Sequence, residues 1–235
     1  MRKVDPVDVK AGFTSFATER MAHFSRLEAL LRRTPHEKRD LSVLSETTLH
    51  SVYVAFEVFL SDLMLAYINR DFSVYQANLK SRIESSINAK FGSGAAARTT
   101  FGVSKHINIQ DLENLIDPTG WNMTFKDVDE LKTKFADWVS PAHGAGVSAL
   151  GPSDTRLIDT VRAIRNFVAH GSPGSKRIMN DKLSTVAVGP ACPNDPLCRG
   201  QHEIDDVGAY LKAYSFGQRR LYTFIMRLQA IAGGL

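Results

Sequence analysis

The stretch Asp159-Thr160-Val161-Arg162-Ala163-Ile164-Arg165-Asn166-Phe167-Val168-Ala169-His170-Gly171 sets a permanent cation, Arg165, and a titratable ring, His170, with four residues between them in a largely apolar run. A histidine exchanges its proton near neutral pH. His170 therefore suits taking a proton from a ribose 2′-hydroxyl, or giving one to a leaving oxygen. Arg165 suits the complementary role, because its guanidinium stays charged and offers a planar fork of donors to the negative charge that builds on a phosphorane. Asn166 adds a group that can hold the imidazole or a phosphate oxygen by hydrogen bonding. Five residues along a helix correspond to ~7.5 Å of rise and ~140° of rotation. Gly171 reads as a left-handed terminator that would let His170 fold back at the frayed end toward Arg165, so that one phosphate could touch both within one chain.

Other residues bear on this pair. Glu57 lies in the strongly apolar run Ala55-Phe56-Glu57-Val58-Phe59-Leu60, where a carboxylate needs a cation near it, and Arg165 is the candidate. An Arg165 held in that way would be pre-aimed at a phosphate. Arg162, three residues before Arg165, sits on a neighbouring helical face and would widen a phosphate site, or else serve as a solvated arginine. Lys80, Arg82, Lys90, Arg98 and Lys105 face Glu84 alone between residues 72 and 106. With Arg162, Arg98 and Lys105 are the RNA-binding candidates, the latter two in this basic, Gly/Ala-rich connector, against the plainer reading of a basic loop.

The elements that must position these residues read as helices. Residues 7 to 33 carry Val7, Phe13, Phe16, Met21, Phe24, Leu27 and Leu30 at helical spacing and stop at Thr34-Pro35. From 44 to 70, Val52, Phe56, Phe59, Leu60, Leu63, Met64 and Tyr67 mark the central core helix. A third helix runs from 72 to 91, and Gly92 to Thr100 reads as a flexible connector. Asn108 caps a short helix over 109–116, closed by a turn at 117–120, and Thr124 with Asp127 resembles a capping box for a helix ending near 139. After a flexible patch over 140–151, Ser153 and Asp154 cap the helix that carries Arg165 and His170. Residues 171 to 202 are expected as a long loop insertion with a short strand pair around 183–188, before a final helix over 203–231. This pattern predicts one all-α domain over residues 1–235, an up-and-down bundle of four to five main helices with long irregular insertions.

Composition bounds the rest. With 235 residues, 43% hydrophobic and 23% charged, the chain excludes disordered and collagen-like classes, and its net charge of +4 favours a polyanionic partner without identifying one. The apolar stretch over 52–68 is broken by Glu57, Ser61 and Asp62, which argues against a membrane span. The lack of an apolar export segment after Met1 leads to a cytoplasmic expectation. Cys192, Cys198, His202 and Asp195 match no standard zinc spacing, so no metal or cofactor is expected and the cysteines read as incidental. His23, His36, His50, His106 and His143 show no partner spacing that suggests a metal or a triad, and most read as surface residues.

Arg165-Asn166-Phe167-Val168-Ala169-His170 resembles the R-x4-6-H signature of the HEPN superfamily, including the polar residue that follows Arg in many members. The helix around Glu57 is similar to the first core helix of prokaryotic defence branches, such as those associated with RiboL-PSP modules. The resemblance covers the helical order over most of the chain, and about six residues carry it. It implies a helical bundle acting as a homodimer, with Arg165 and His170 of both copies lining one cleft. It also implies metal-independent endoribonuclease activity on RNA, in toxin or antiphage defence, leaving 2′,3′-cyclic phosphate ends, with an antitoxin or defence-complex partner. Ser172 stands where one toxin subgroup has its modified tyrosine, so that mode of control is not expected. The alternative is a non-catalytic module that dimerises and binds nucleic acid or a partner protein.

Overall fold

The computed structural model describes residues 4–100, 102, 107–116, 124–187, 195–200 and 202–235. Among these the chain is all-α: helices α1 (Pro6–Leu31), α2 (Glu37–Arg70), α3 (Ser73–Phe91), α4 (Ser93–Ala96), α5 (Ile109–Ile116), α6 (Val128–Trp138), α7 (Pro141–Ser148), α8 (Pro152–His170), α9 (Pro173–Thr185), α10 (Val207–Lys212) and α11 (Arg220–Gly234). The one sheet among the described residues is the hairpin of β1 (Tyr214–Ser215) and β2 (Gln218–Arg219). Five helices have fifteen residues or more, α1, α2, α3, α8 and α11.

The chain divides into two compact units, each assembled from separated segments. One contains residues 10–59 and 150–234. Its core is built on Phe13 of α1, which stacks on Phe59 at 5.2 Å and meets Phe56 edge-on at 5.4 Å. Phe24, Leu49, Val52, Val161, Ile164, Phe224 and Leu228 are fully or almost fully buried, and such aromatic and aliphatic burial supplies the main driving force for the unit. The buried hydroxyl of Ser45 donates to the Leu41 carbonyl one turn back at 2.7 Å, so it is satisfied without leaving its own helix. Gly208 of α10 lies so close to Ser42 of α2 that a Cβ there would sit 2.5 Å from the Ser42 carbonyl oxygen. Only glycine permits that approach.

The other unit contains residues 1–9, 60–149 and 235. Here α3 packs on α6 and α6 on α7. Leu63, Met64, Ile68, Leu112, Leu131, Phe135 and Val147 form the core. The Tyr67 ring stacks on His143 at 5.3 Å while its hydroxyl donates to the Leu235 carbonyl at 2.9 Å. Helix α2 is long and apolar enough to cross a membrane by composition, and 61% of its most apolar window is buried within the protein. It is a core helix.

Several local expectations are corrected. Residues 141–148 form α7 and residues 93–96 form α4, where connectors were expected; Pro141 at the first turn starts α7. Helix α6 is capped by Asp127, whose side chain accepts from the Glu130 N–H at 2.8 Å, rather than by Thr124. Helix α8 starts at Pro152 with Gly151 as its cap residue, and Asp154 accepts from the Gly151 N–H at 3.3 Å. Within the stretch expected as a loop, residues 173–185 form helix α9, begun by Ser172, whose hydroxyl accepts from the Ser175 N–H at 3.1 Å; of the strand pair expected around 183–188, residues 183–185 belong to this helix and residue 188 lies outside the described residues. The Ser172 cap followed by Pro173 outweighs the β-branched Thr185 at the end of the helix. The single final helix is instead α10, the hairpin and α11, because Phe216-Gly217 make a tight turn. The expected turn over 117–120 lies outside the described residues.

Candidate functional site

Helix α2 carries His50, Tyr53 and Glu57 at i, i+3 and i+7, a spacing that puts all three on one helical face. Helix α8 answers with Asp159, Arg162, Arg165 and Asn166. The link is the ion pair expected from the sequence: Arg165 Nη2 donates to Glu57 Oε2 at 3.1 Å. Their side chains retain 29% and 16% exposure, so the pair is mostly removed from water without being sealed. Arg165 Nη1 donates to Asn166 Oδ1 at 2.9 Å. Asn166 therefore braces the guanidinium, not an imidazole. Arg165 Nε is buried with no hydrogen-bond partner.

Electrostatics tie the remaining groups to this pair. Burial raises the Glu57 carboxyl above its ordinary range, and the charges of Arg165 and Arg162 pull it back. Arg162, half-buried, thus acts on the Glu57 carboxylate as well as on Tyr53, whose hydroxyl is pushed up by burial and by Glu57. His50 is the residue that sequence reasoning missed. Its Nδ1 is buried without a partner, and its imidazole is held below the ordinary value by burial first and by the charge of Arg165 second. The signal was present as the His50, Tyr53, Glu57 spacing, but became meaningful only once α8 was known to lie against that face. Six residues before Arg165 in α8, Asp159 Oδ2 accepts from Lys182 Nζ of α9 at 2.8 Å, and Thr160 donates to the Arg156 carbonyl at 2.7 Å.

His170 is the last residue of α8 and is exposed. Gly171 follows with φ +60° and donates its N–H to the Phe167 carbonyl at 2.8 Å, the left-handed stop expected from sequence. The expected fold-back at a frayed end is corrected: α8 is helical through His170. Within one chain the two side chains therefore leave the helix about 140° apart, Arg165 toward α2 and His170 at the exposed end.

Of the three RNA-binding candidates, Arg162 lies within reach of the Glu57 charge, and the other two fall elsewhere. Arg98 is exposed, donates to the Gly94 carbonyl at 3.0 Å, and belongs to the other compact unit. Lys105 lies outside the described residues. Among the described residues no cluster of three or more His, Cys, Asp or Glu side chains could hold a metal ion. Asp195 pairs with Arg227 at 3.0 Å. Cys198 is disulfide-bonded, which corrects the reading of incidental thiols and removes it as a zinc thiolate; Cys192 lies outside the described residues. Compared with protein-family models, curated proteins and solved structures, the chain matches none.

Proposed function

We propose that this protein is a metal-independent endoribonuclease of the HEPN type, cleaving RNA through His170 and Arg165 in a homodimer. The observation that carries the reading is the bracing of Arg165: Glu57 at 3.1 Å and Asn166 at 2.9 Å hold the guanidinium from two helices, five residues before an exposed histidine. Preorganised charge of this kind is what a developing phosphorane needs. In the reaction, one imidazole takes the proton of a ribose 2′-hydroxyl as its oxygen attacks the adjacent phosphorus. A protonated imidazole gives a proton to the departing 5′-oxygen, which leaves a 2′,3′-cyclic phosphate. A homodimer supplies the two histidines as the two copies of His170. Toxin or antiphage defence, with an antitoxin or defence-complex partner, and action in the cytoplasm complete the proposal.

The test is cleavage of single-stranded RNA in EDTA. His170→Ala abolishes cleavage and leaves the melting temperature nearly unchanged; full activity in that variant overturns the assignment. A second reading, a non-catalytic dimerisation and binding module, is favoured by the same bracing, because both Nη groups of Arg165 already have partners within the chain. A purified wild-type protein that binds RNA without cutting it would establish that reading instead.

A further inference from the structure

We infer that the β1–β2 hairpin and the groove beside it bind single-stranded nucleic acid, with a base stacked on Tyr214 and Phe216 and a backbone phosphate on Arg32 and Arg33. This surface is separate from the Arg165 and His170 residues, and nothing in its chemistry requires cleavage.

The hairpin pairs Tyr214 with Arg219 and Ser215 with Gln218, leaving Phe216-Gly217 as a two-residue turn. Both turn residues have positive φ, +52° and +80°. This is the turn that asparagine and glycine favour, since a larger side chain is strained there. Phe216 is the one non-glycine residue with positive φ among the described residues. Burial does not compensate the strain, for Phe216 is 68% exposed and Tyr214 60% exposed. A large aromatic kept at a strained, solvent-facing tip is of no use to the free chain and of direct use to a ligand.

The surroundings fit the alternation of base and phosphate along a strand. Arg219 lies over the Tyr214 ring at 4.4 Å and is itself held by Glu28 of α1, which fixes the hairpin base against that helix. Glu28 lines a groove of about 410 Å³ with Ser25, Ala29, Arg32 and Arg33. Ser25 Oγ lies 2.7 Å from the Tyr222 hydroxyl, which closes one end onto α11. Arg32 binds Glu28 at 2.6 Å with its side chain still 58% exposed. The exposed Arg33 makes no ion pair among the described residues. Two arginines, Arg32 and Arg33, against the one carboxylate of Glu28 line the groove, and since Glu28 is already held by the buried Arg219, Arg33 keeps its charge for a phosphate. Stacking needs a base face that a duplex hides, so the ligand is a single strand.

The test uses the full chain and a fluorescent oligothymidylate, which lacks the 2′-hydroxyl and is not cut, with binding read by anisotropy. Phe216→Asn should weaken binding about five- to a hundredfold while melting at the same temperature or higher. Arg33→Gln should lower the salt dependence of binding. No binding by the wild type, equal binding by Phe216→Asn, or a lower melting temperature in that variant each overturns the proposal. So does a Phe216→Asn protein that sediments as a smaller species with its affinity unchanged, since the tip would then be a self-association contact. Loss of RNA cleavage in His170→Ala, by contrast, bears only on the proposed nuclease chemistry.

Discussion

Glu57 and Arg165 stand 108 residues apart in the chain and meet at 3.1 Å. A carboxylate in an apolar helix and an arginine in another are each costly to bury alone, and together they hold the faces of α2 and α8 in register. Replacing Glu57 by Gln keeps the shape and removes the charge. Because the pair keeps some exposure, the expected loss is roughly 1–3 kcal/mol, the cost of leaving a partly buried charge unmatched. Thermal or urea unfolding measures it, and a variant as stable as the wild type contradicts the role given to the pair.

Lysine in place of arginine at 165 keeps the charge but cannot reach Glu57 and Asn166 with two separate donors of one planar group. Arg165→Lys should therefore fold and lower RNA cleavage about 10²- to 10³-fold, the scale of losing one preorganised donor. Single-turnover rates on a defined RNA decide it. Near wild-type rates would mean that charge alone suffices.

The pH response of stability should show His50. Its folded imidazole is held below the ordinary 6.5 by burial and by Arg165. The unfolded chain therefore takes up the proton first as the pH falls below 6.5. The stabilising contribution is fully present above that value and is lost as the pH drops through the folded one. His50→Gln should flatten this part of the profile of melting temperature against pH. An unchanged slope would show that His50 is not responsible.

Gly208 offers a steric test. A methyl group there would meet the Ser42 carbonyl oxygen at 2.5 Å and its carbon at 2.7 Å, both backbone atoms that cannot swing aside. Gly208→Ala should cost about 3 kcal/mol or more, read from denaturant midpoints. Gly233→Ala, with nothing within 4 Å of its added Cβ, is the control and should be close to neutral.

The Glu28–Arg219 pair is more deeply buried than Glu57–Arg165, with side-chain exposures of 9% and 8%. Arg219→Met removes the buried one of the two arginines on Glu28 and leaves the exposed Arg32, so it should cost roughly 1–3 kcal/mol. A Glu28→Gln/Arg219→Met double variant should recover part of that loss. Additive losses in the cycle would show that the two side chains do not interact.

Much of the fold was legible in the residues. Helical spacing marked α1, α2, α3 and α8, and Gly171 announced the end of α8, because apolar periodicity and a left-handed stop are local properties. The Glu57–Arg165 pair was legible too, since a lone carboxylate in an apolar run demands a cation. Helices α7 and α9 were not, because their Gly, Ser and Pro content resembles that of loops and their stability comes from packing, as with α9 against α8. His50 was hidden for a related reason: an imidazole gains meaning from the charge facing it, and Arg165 lies on a distant segment. Phe216-Gly217 concealed the hairpin because its turn is made with a residue that such turns disfavour.

Helix α8 passes without interruption from the residue bonded to Glu57 to the exposed imidazole at its tip. By the rise of an α-helix, that segment is a stiff spacer of about 7.5 Å, so the offset between the points where the two side chains leave the backbone does not depend on which ligand is present. Lengthening or shortening the spacer by one residue would swing the tip by about 100° while leaving every chemical group in place.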